Sequence, residues 1–284
     1  MFPFLPALGA FLHTHLGRIR GMGALGLGLI LSNGLSQGGL GGAVWSGQWA
    51  AQGFILAELM NRSRSLNRAV GGTVLISLAL QSCLLGIWAL QRAESPWSLL
   101  TQSMETAFRQ GMELYGYGSM TTEESARMKE GISRASSLVV VLLPGIFAST
   151  NLMLQWWTLL VCRRFPLIWG WAKPSRLERL DEWGIPYPWV WVTILGGLLL
   201  LVPVEDLGAV GVNLLILMGS VHFLQGMAVV SNLFRQRKVP PFFRGVVYAL
   251  VFLQQVLLLV VAAIGLFDLW FDFRKRWGSP TLRA

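Results

Sequence analysis

The sequence predicts an all-α fold, a polytopic bundle of transmembrane helices within a single membrane domain of residues 1–284. Of the 284 residues, 54% are hydrophobic and 13% are charged, which is half of the roughly 25% charged residues found in soluble domains. The ranges 69–91, 135–162 and 245–267 contain no charged side chain. Each of them exceeds the roughly 18 residues that indicate a transmembrane helix.

The distribution of basic residues favours a membrane location over nucleic-acid binding. The net charge is +9, but the basic residues stand at the ends of apolar segments, as the positive-inside rule expects of a bacterial inner-membrane protein. The connections around 18–20, 61–68, 163–183 and 235–244 are therefore assigned to the cytoplasm. Alternate counting then places the basic tail RKRWGSPTLRA outside, which indicates either a re-entrant segment or a tail held at the interface.

The apolar residues form about seven to eight segments. The second segment carries Gly34, Gly38 and Gly42, the small-xxx-small spacing that permits close contact with another helix. Glycine interruptions also occur in broken helices that line a binding cavity, and both interpretations stay open. In order, the segments are residues 2–13, 22–45, 48–60, 69–91, 135–162, 189–203, 209–234 and 245–267.

The long connection 92–134 is predicted to form an extracytoplasmic helical hairpin, an insertion within the membrane domain. Trp97, Leu100, Met104 and Phe108 recur at helical spacing on one face, which is typical of an amphipathic helix. A second, charged helix follows, with a possible capping box at its start, and runs into the span 135–162. We expect this hairpin to lie on the membrane or to cap the bundle.

Two of the apolar segments carry polar side chains in pairs. Asn151 and Gln155 are four residues apart and share a helix face, while His222 and Gln225 are three apart and share another. Asn213 lies on the same segment as His222 but on roughly the opposite face of the helix. Such residues either form hydrogen bonds between helices or line a cavity for a small polar or aromatic ligand, and these five are the candidate ligand-binding residues.

Enzyme motifs are mostly absent from the sequence. It contains neither H-E-x-x-H nor a P-loop. His222 has no companion ligands at useful spacing, and Cys83 and Cys162 stand apart in apolar segments. The sequence therefore predicts a protein that is not an enzyme and has neither a metal nor a cofactor.

The last apolar segment ends in two acidic residues that are followed by three basic residues. Asp268, Asp272 and Arg276 follow one another at intervals of four, so a continuous helix would place them on one stripe. Arg274 lies off that stripe, where it would reach another helix end or a lipid phosphate. We expect these four residues to form a structural helix terminus at the membrane interface.

Four stretches resemble the YybS-like family of bacterial membrane proteins. They are NLMLQWWTLLVCRRF, the W-G-I-P-x-P-x-V-W pattern, NLLILMGSVHFLQGMAVVSNLFRQRKVPPFFR and the closing IGLFDLWFDFRK. The combination of Asn213, Gln225, Asp268 and Arg274 carries the resemblance, which covers most of residues 135–276. It implies a fold distantly similar to the substrate-capturing subunits of energy-coupling vitamin transporters, whose helical bundles hold a ligand near the outer face.

These observations lead to two alternative functions. The first is a non-enzymatic, transporter-like subunit that binds a small molecule in the bundle and contacts another membrane protein subunit through its glycine-rich second segment. The second is a structural or assembly protein that recruits partners through the basic loops 163–188 and 235–244 and the C-terminal tail. In both, the lipid bilayer surrounds the protein and nucleic acid is excluded as a partner.

Overall fold

A computed structural model describes residues 2–35, 39–63, 65–114, 122–164 and 180–277. Within these ranges the chain is helical with short connections and no strand, which confirms the predicted all-α class. A 3-10 turn at Phe2–Phe4 precedes α1. The helices are α1 Leu5–Leu35, α2 Gly39–Arg62, α3 Leu66–Arg92, α4 Pro96–Leu114, α5 Thr122–Arg164, α6 Trp189–Leu201, α7 Glu205–Gln236, α8 Pro241–Leu253, α9 Gln255–Phe271 and α10 Phe273–Trp277.

Among the residues that the structure describes, three helices are long and apolar enough to cross a membrane. They comprise α3, the Arg127–Arg164 part of α5 and the Asp206–Gln236 part of α7, and the bent pair α8–α9 would be a fourth if it counted as one span. The prediction of seven to eight apolar segments is thus not supported as seven to eight spans. Helix α6, for example, has 13 residues and is about 20 Å long, shorter than the roughly 30 Å of hydrocarbon.

Helix α1 joins the first predicted segment to the start of the second across a sharp kink. The kink is at Gly17, whose φ of 75° lies in the left-handed region that glycine adopts without penalty. The first half of α1 then packs closely on α2, because a Cβ at Gly53 would stand 1.6 Å from the carbonyl oxygen of Pro6. The surroundings of Gly34, Gly38 and Gly42, predicted to make such a contact, lie outside the described part of the chain.

Helix α7 is the centre of the C-terminal half, where α5, α6 and α9 all pack against it. Its contact with α9 is the closest one. A Cβ at Gly226 would stand 1.9 Å from the carbonyl oxygen of Val261, and a Cβ at Gly265 would stand 1.9 Å from that of His222. Glycines at these positions therefore let the two backbones touch.

The predicted final span 245–267 is not one helix. It breaks at Gln254, which has an extended backbone, and the axes of α8 and α9 differ by 105°. Helix α8 starts beside the end of α7, where Arg244 donates to the carbonyl of Phe234 (3.3 Å), and rises until the ring of Phe252 meets that of Phe223, 5.8 Å away.

Helix α9 crosses α7 near Gln225, and the chain reaches the end of α7 only after α9 has ended. Gln225 of α7 bonds to Asp268 near the end of α9 (3.4 Å), and Gln236, the last residue of α7, bonds to the carbonyl of Arg274 (3.4 Å). The start of α8 and the carbonyl of Arg274 thus both lie at the end of α7. A pair bent in this way is either a broken span or a re-entrant hairpin, and the second is one of the two explanations that the basic C-terminal tail required.

Helix α4 packs against α5 and the end of α3. Its side chain Leu99 is buried, at 2% exposure, whereas Trp97 and Phe108 of the predicted apolar stripe are 51% and 38% exposed. The stripe is therefore exposed at Trp97 and Phe108 and half-buried at Leu100 and Met104. The extracytoplasmic position of this region stays a prediction.

Candidate functional site

Four amide side chains meet in the interior between α2, α3 and α5, and we name Gln52, Gln81, Asn151 and Gln155 the amide cluster. Gln155 Nε2 donates to Gln52 Oε1 (2.9 Å). Asn151 and Gln81 exchange two hydrogen bonds, from Asn151 Nδ2 to Gln81 Oε1 (3.2 Å) and from Gln81 Nε2 to Asn151 Oδ1 (3.4 Å). Because Asn151 and Gln155 are one turn apart on α5, the two pairs adjoin.

Several polar atoms at the cluster are buried without a protein partner among the described residues. They are Gln52 Nε2, Gln155 Oε1, Gln48 Nε2 one turn away on α2, and Ser77 Oγ one turn away on α3. The residues concerned are 1%, 0%, 4% and 0% exposed, respectively. An unpaired buried polar group costs about 1–3 kcal/mol, so this concentration of donors and acceptors is suited to a polar ligand.

The amide cluster lies at a similar distance from the C-terminal ends of α2 and α5. Gln52 and Gln155 stand 10 and 9 residues before the ends of α2 and α5, which corresponds to about 15 Å at the rise of an α-helix. Those two ends adjoin, because Ala57 packs with Val161 and Cys162. The cluster therefore lies at a distance from those ends that equals about half of a hydrocarbon layer of about 30 Å.

The surroundings of the cluster are uncharged. The nearest ionic group on α2 is Glu58, whose carboxylate bonds to His13 Nε2 (2.7 Å) and pairs with Arg62 at the end of the helix. Among the described residues no group of three or more His, Cys, Asp or Glu side chains could hold a metal ion. The cluster thus consists of uncharged hydrogen-bond donors and acceptors.

Asn213, one of the predicted ligand-binding residues, is occupied by the backbone of α5. Its Oδ1 accepts from the N–H of Gly145 (2.6 Å), and its Nδ2 donates to the carbonyl of Val141 (2.8 Å). These two groups would pair with each other in an uninterrupted helix, but Pro144 stands between them and disturbs that turn. The amide of Asn213 thus bridges the turn of α5 that contains Pro144.

His222 and Gln225 lie in two further places. His222 Nε2 and Thr193 Oγ1 of α6 are 2.8 Å apart, so His222 faces α6. Gln225 reaches α9 and the connection before α6, where its Oε1 accepts from the N–H of Ile185 (3.5 Å). Of the five predicted residues, the structure therefore brings together Asn151 and Gln155 and separates the other three.

Asp268 is the centre of a second polar group, at the end of α9. Its Oδ1 accepts from the N–H of Phe273 (2.9 Å), while its Oδ2 lies 3.2 Å from Arg274 and 3.4 Å from Gln225 Nε2. The Asp268 and Arg274 side chains are 7% and 16% exposed. The acid therefore caps α10, neutralises a partly buried arginine and joins α9 to α7.

The predicted stripe of Asp268, Asp272 and Arg276 does not form on one helix. Asp272 adopts a left-handed backbone with φ of 46°, which ends α9 and turns the chain so that Arg274 meets Asp268. Asp272 instead binds Lys275 (2.5 Å), and this hydrogen bond raises the pKa of Lys275 above its ordinary value. The side chain of Arg276 lies outside the described part.

The sequence contained a signal for the cluster members that were not predicted. Gln48 and Gln52 are four residues apart, and so are Thr73, Ser77 and Gln81 within the uncharged span 69–91. Such spacing places polar groups on one face of each helix, as it does for Asn151 and Gln155. The same rule applied to α2 and α3 would have indicated the remaining walls of the site.

Comparison with known proteins bears on the chain as a whole rather than on the cluster. The model of a family described as predicted membrane protein, DUF2232, matches residues 1–269. The comparisons with curated proteins and with solved structures found no match. The family description agrees with the apolar helices in indicating a membrane location.

Proposed function

Because the chain belongs to the DUF2232 family of predicted membrane proteins, we propose that it is a multi-pass protein of the bacterial inner membrane that binds a small uncharged polar molecule. The binding site is the amide cluster, and the role is that of a non-enzymatic, transporter-like subunit. The observation that carries the proposal is the group of unpaired donors and acceptors on Gln48, Gln52, Ser77 and Gln155.

The chemistry of the cluster selects the class of ligand. Gln48 Nε2 and Gln52 Nε2 offer donors, Gln155 Oε1 offers an acceptor, and the hydroxyl of Ser77 offers both. A molecule with an amide, urea or hydroxyl group satisfies such a set. A carboxylate or an ammonium ion does not, because a charge without a counter-charge is very costly to bury.

A screen for thermal stabilisation tests this proposal. The purified protein is heated with neutral amides, nucleobases and sugar alcohols, and in parallel with carboxylates and quaternary ammonium salts. We expect stabilisation by a member of the neutral set, and its loss in Gln52→Leu and in Gln155→Leu. The matched control is Gln110→Leu, at an exposed glutamine of α4, which should respond like the unmodified protein.

The opposite result would identify the amides as packing residues. If no neutral compound stabilises the protein and the double variant Gln52→Leu/Gln155→Leu unfolds at a higher temperature, the amides contribute only hydrogen bonds between helices. These contribute about 0.6–2 kcal/mol each and are replaceable by well-packed apolar side chains.

The alternative is a structural or assembly role through the basic loops. Arg237 and Lys238 favour it, because they are exposed in the turn after α7, whereas the neighbouring Arg235 is engaged with Asp181 (2.7 Å) and Glu182 (3.3 Å). Affinity purification from native membranes with Arg237→Gln/Lys238→Gln would test it. A protein complex that disappears in this variant favours the assembly role, and an unchanged complex contradicts it.

A further inference from the structure

The bend between α8 and α9, residues 252–256, forms a tip that lies deep in the apolar region and is left exposed by the described part of the chain. Its depth follows from Phe252, whose ring meets Phe223, 13 residues before the end of α7 and hence about 20 Å along that helix. Phe252, Leu253 and Val256 are 66%, 82% and 62% exposed. Gln254 and Gln255 between them are exposed as well.

An uncovered tip of this composition is unstable in lipid. The helix is interrupted at Gln254, so carbonyl groups of the preceding turn lose their helical partners, and two amide side chains add further donors and acceptors. Irregular backbone at membrane depth persists only where protein or a water-filled cavity covers it. Something other than lipid must therefore cover the tip.

We infer that the tip is the interface with a second copy of this chain. Each glutamine amide carries both donors and an acceptor, so Gln254 and Gln255 can pair with the same two residues of a second copy around a twofold axis, which is the geometry of most homodimers. The exposed Phe252, Leu253 and Val256 would pack around those amides. A partner of different sequence would have to supply matching amides of its own.

Cysteine cross-linking in native membranes tests the inference. In a Cys83→Ala/Cys162→Ala background, Leu253→Cys should give a covalent dimer on oxidation or with a short bifunctional maleimide. The control is Leu75→Cys, a 69% exposed residue of α3 at about 14 Å from the start of its helix, which should give none. A covalent dimer that forms with Leu253→Cys but not with Leu75→Cys supports the inference.

Three results would overturn it. They are an equally strong dimer from Leu75→Cys, a cross-link from residue 253 to a protein of different mass, and labelling of residue 253 by a membrane-impermeant maleimide without any dimer. The second would identify a different partner protein, and the third a water-filled cavity.

A second measurement does not depend on cross-linking. Gln254→Leu/Gln255→Leu should remain folded, since it removes exposed polar groups from an apolar region. It should shift the monomer–dimer equilibrium in vesicles, followed by single-molecule photobleaching, about tenfold towards monomer, given the usual strength of such hydrogen bonds. Gln110→Leu should leave the monomer–dimer equilibrium unchanged. The inference is contradicted if the unmodified protein, Gln254→Leu/Gln255→Leu and Gln110→Leu all have the same equilibrium.

Discussion

The side chain of Asn213 on α7 takes the place of a backbone hydrogen bond at Gly145 on α5. The N–H of Gly145 and the carbonyl of Val141 both bond to this one amide, at 2.6 and 2.8 Å. A Cβ at Gly145 would stand 2.9 Å from Asn213 Cα, so only glycine permits the approach. Pro144, Gly145 and Asn213 therefore form one structural unit that fixes the crossing of α5 and α7.

We predict that Asn213→Ala lowers the free energy of unfolding by about 2 kcal/mol, because it leaves a buried N–H and a buried carbonyl unpaired. In a Pro144→Ala background the helix can restore its own hydrogen bonds, and the same change should cost about 1 kcal/mol less. Reversible unfolding in detergent of the four proteins of this double-mutant cycle measures the coupling. Equal costs in both backgrounds would show that the amide does not compensate for the proline.

The glycines at the crossing of α7 and α9 give a second prediction. Gly226→Ala and Gly265→Ala should each strongly reduce the amount of folded protein, because the new methyl group would overlap a backbone carbonyl of the facing helix. Gly219→Ala on α7 and Gly245→Ala on α8 are matched controls, since a Cβ at either position meets nothing within 4 Å. Detergent extraction followed by size-exclusion chromatography compares them, and equal yields would mean that α9 does not pack as described.

The ion pair at the end of α9 gives a third prediction. Asp268→Ala should destabilise the protein by about 3 kcal/mol, because it leaves the partly buried Arg274 uncompensated and removes the cap of α10. The double variant Asp268→Asn/Arg274→Met should recover part of this loss. Lys275→Gln is the control, because its pair with Asp272 is exposed and such pairs contribute little. Thermal unfolding separates these cases, and an effect of Lys275→Gln as large as that of Asp268→Ala would contradict the assignment.

A re-entrant course of α8 and α9, which would return the chain to the side it came from, gives a fourth prediction. It concerns labelling from the two sides of the membrane. In a Cys83→Ala/Cys162→Ala background, Lys238→Cys and Lys275→Cys should react with an impermeant maleimide from the same side, because they flank α8–α9 at one end of α7. Asp206→Cys, at the opposite end of α7, should react from the other side. Reaction of residues 238 and 275 from opposite sides would show that α8–α9 crosses the membrane as a broken span.

The polar residues show how far the sequence alone could lead. Asn151, Gln155, Asn213, His222 and Gln225 were recognisable as polar groups in apolar segments, and each one does make contacts between elements. The structure does not bring all five together in one place. Helical spacing relates residues within one helix and carries no information on which neighbouring helix each face contacts. Their actual partners depend on how α3, α5, α6 and α9 are placed around one another.

The sequence by itself determined the all-helical membrane class of the protein and the positions of its polar side chains, because hydropathy, charge and helical periodicity are local properties. Only the tertiary structure decided that Asn151 and Gln155 join Gln52 and Gln81, and that the last apolar segment folds back at Gln254. Both depend on close contacts between distant parts of the chain, such as that of Gly226 with Val261. Such contacts set the register of two helices, and the register determines which buried donor meets which acceptor.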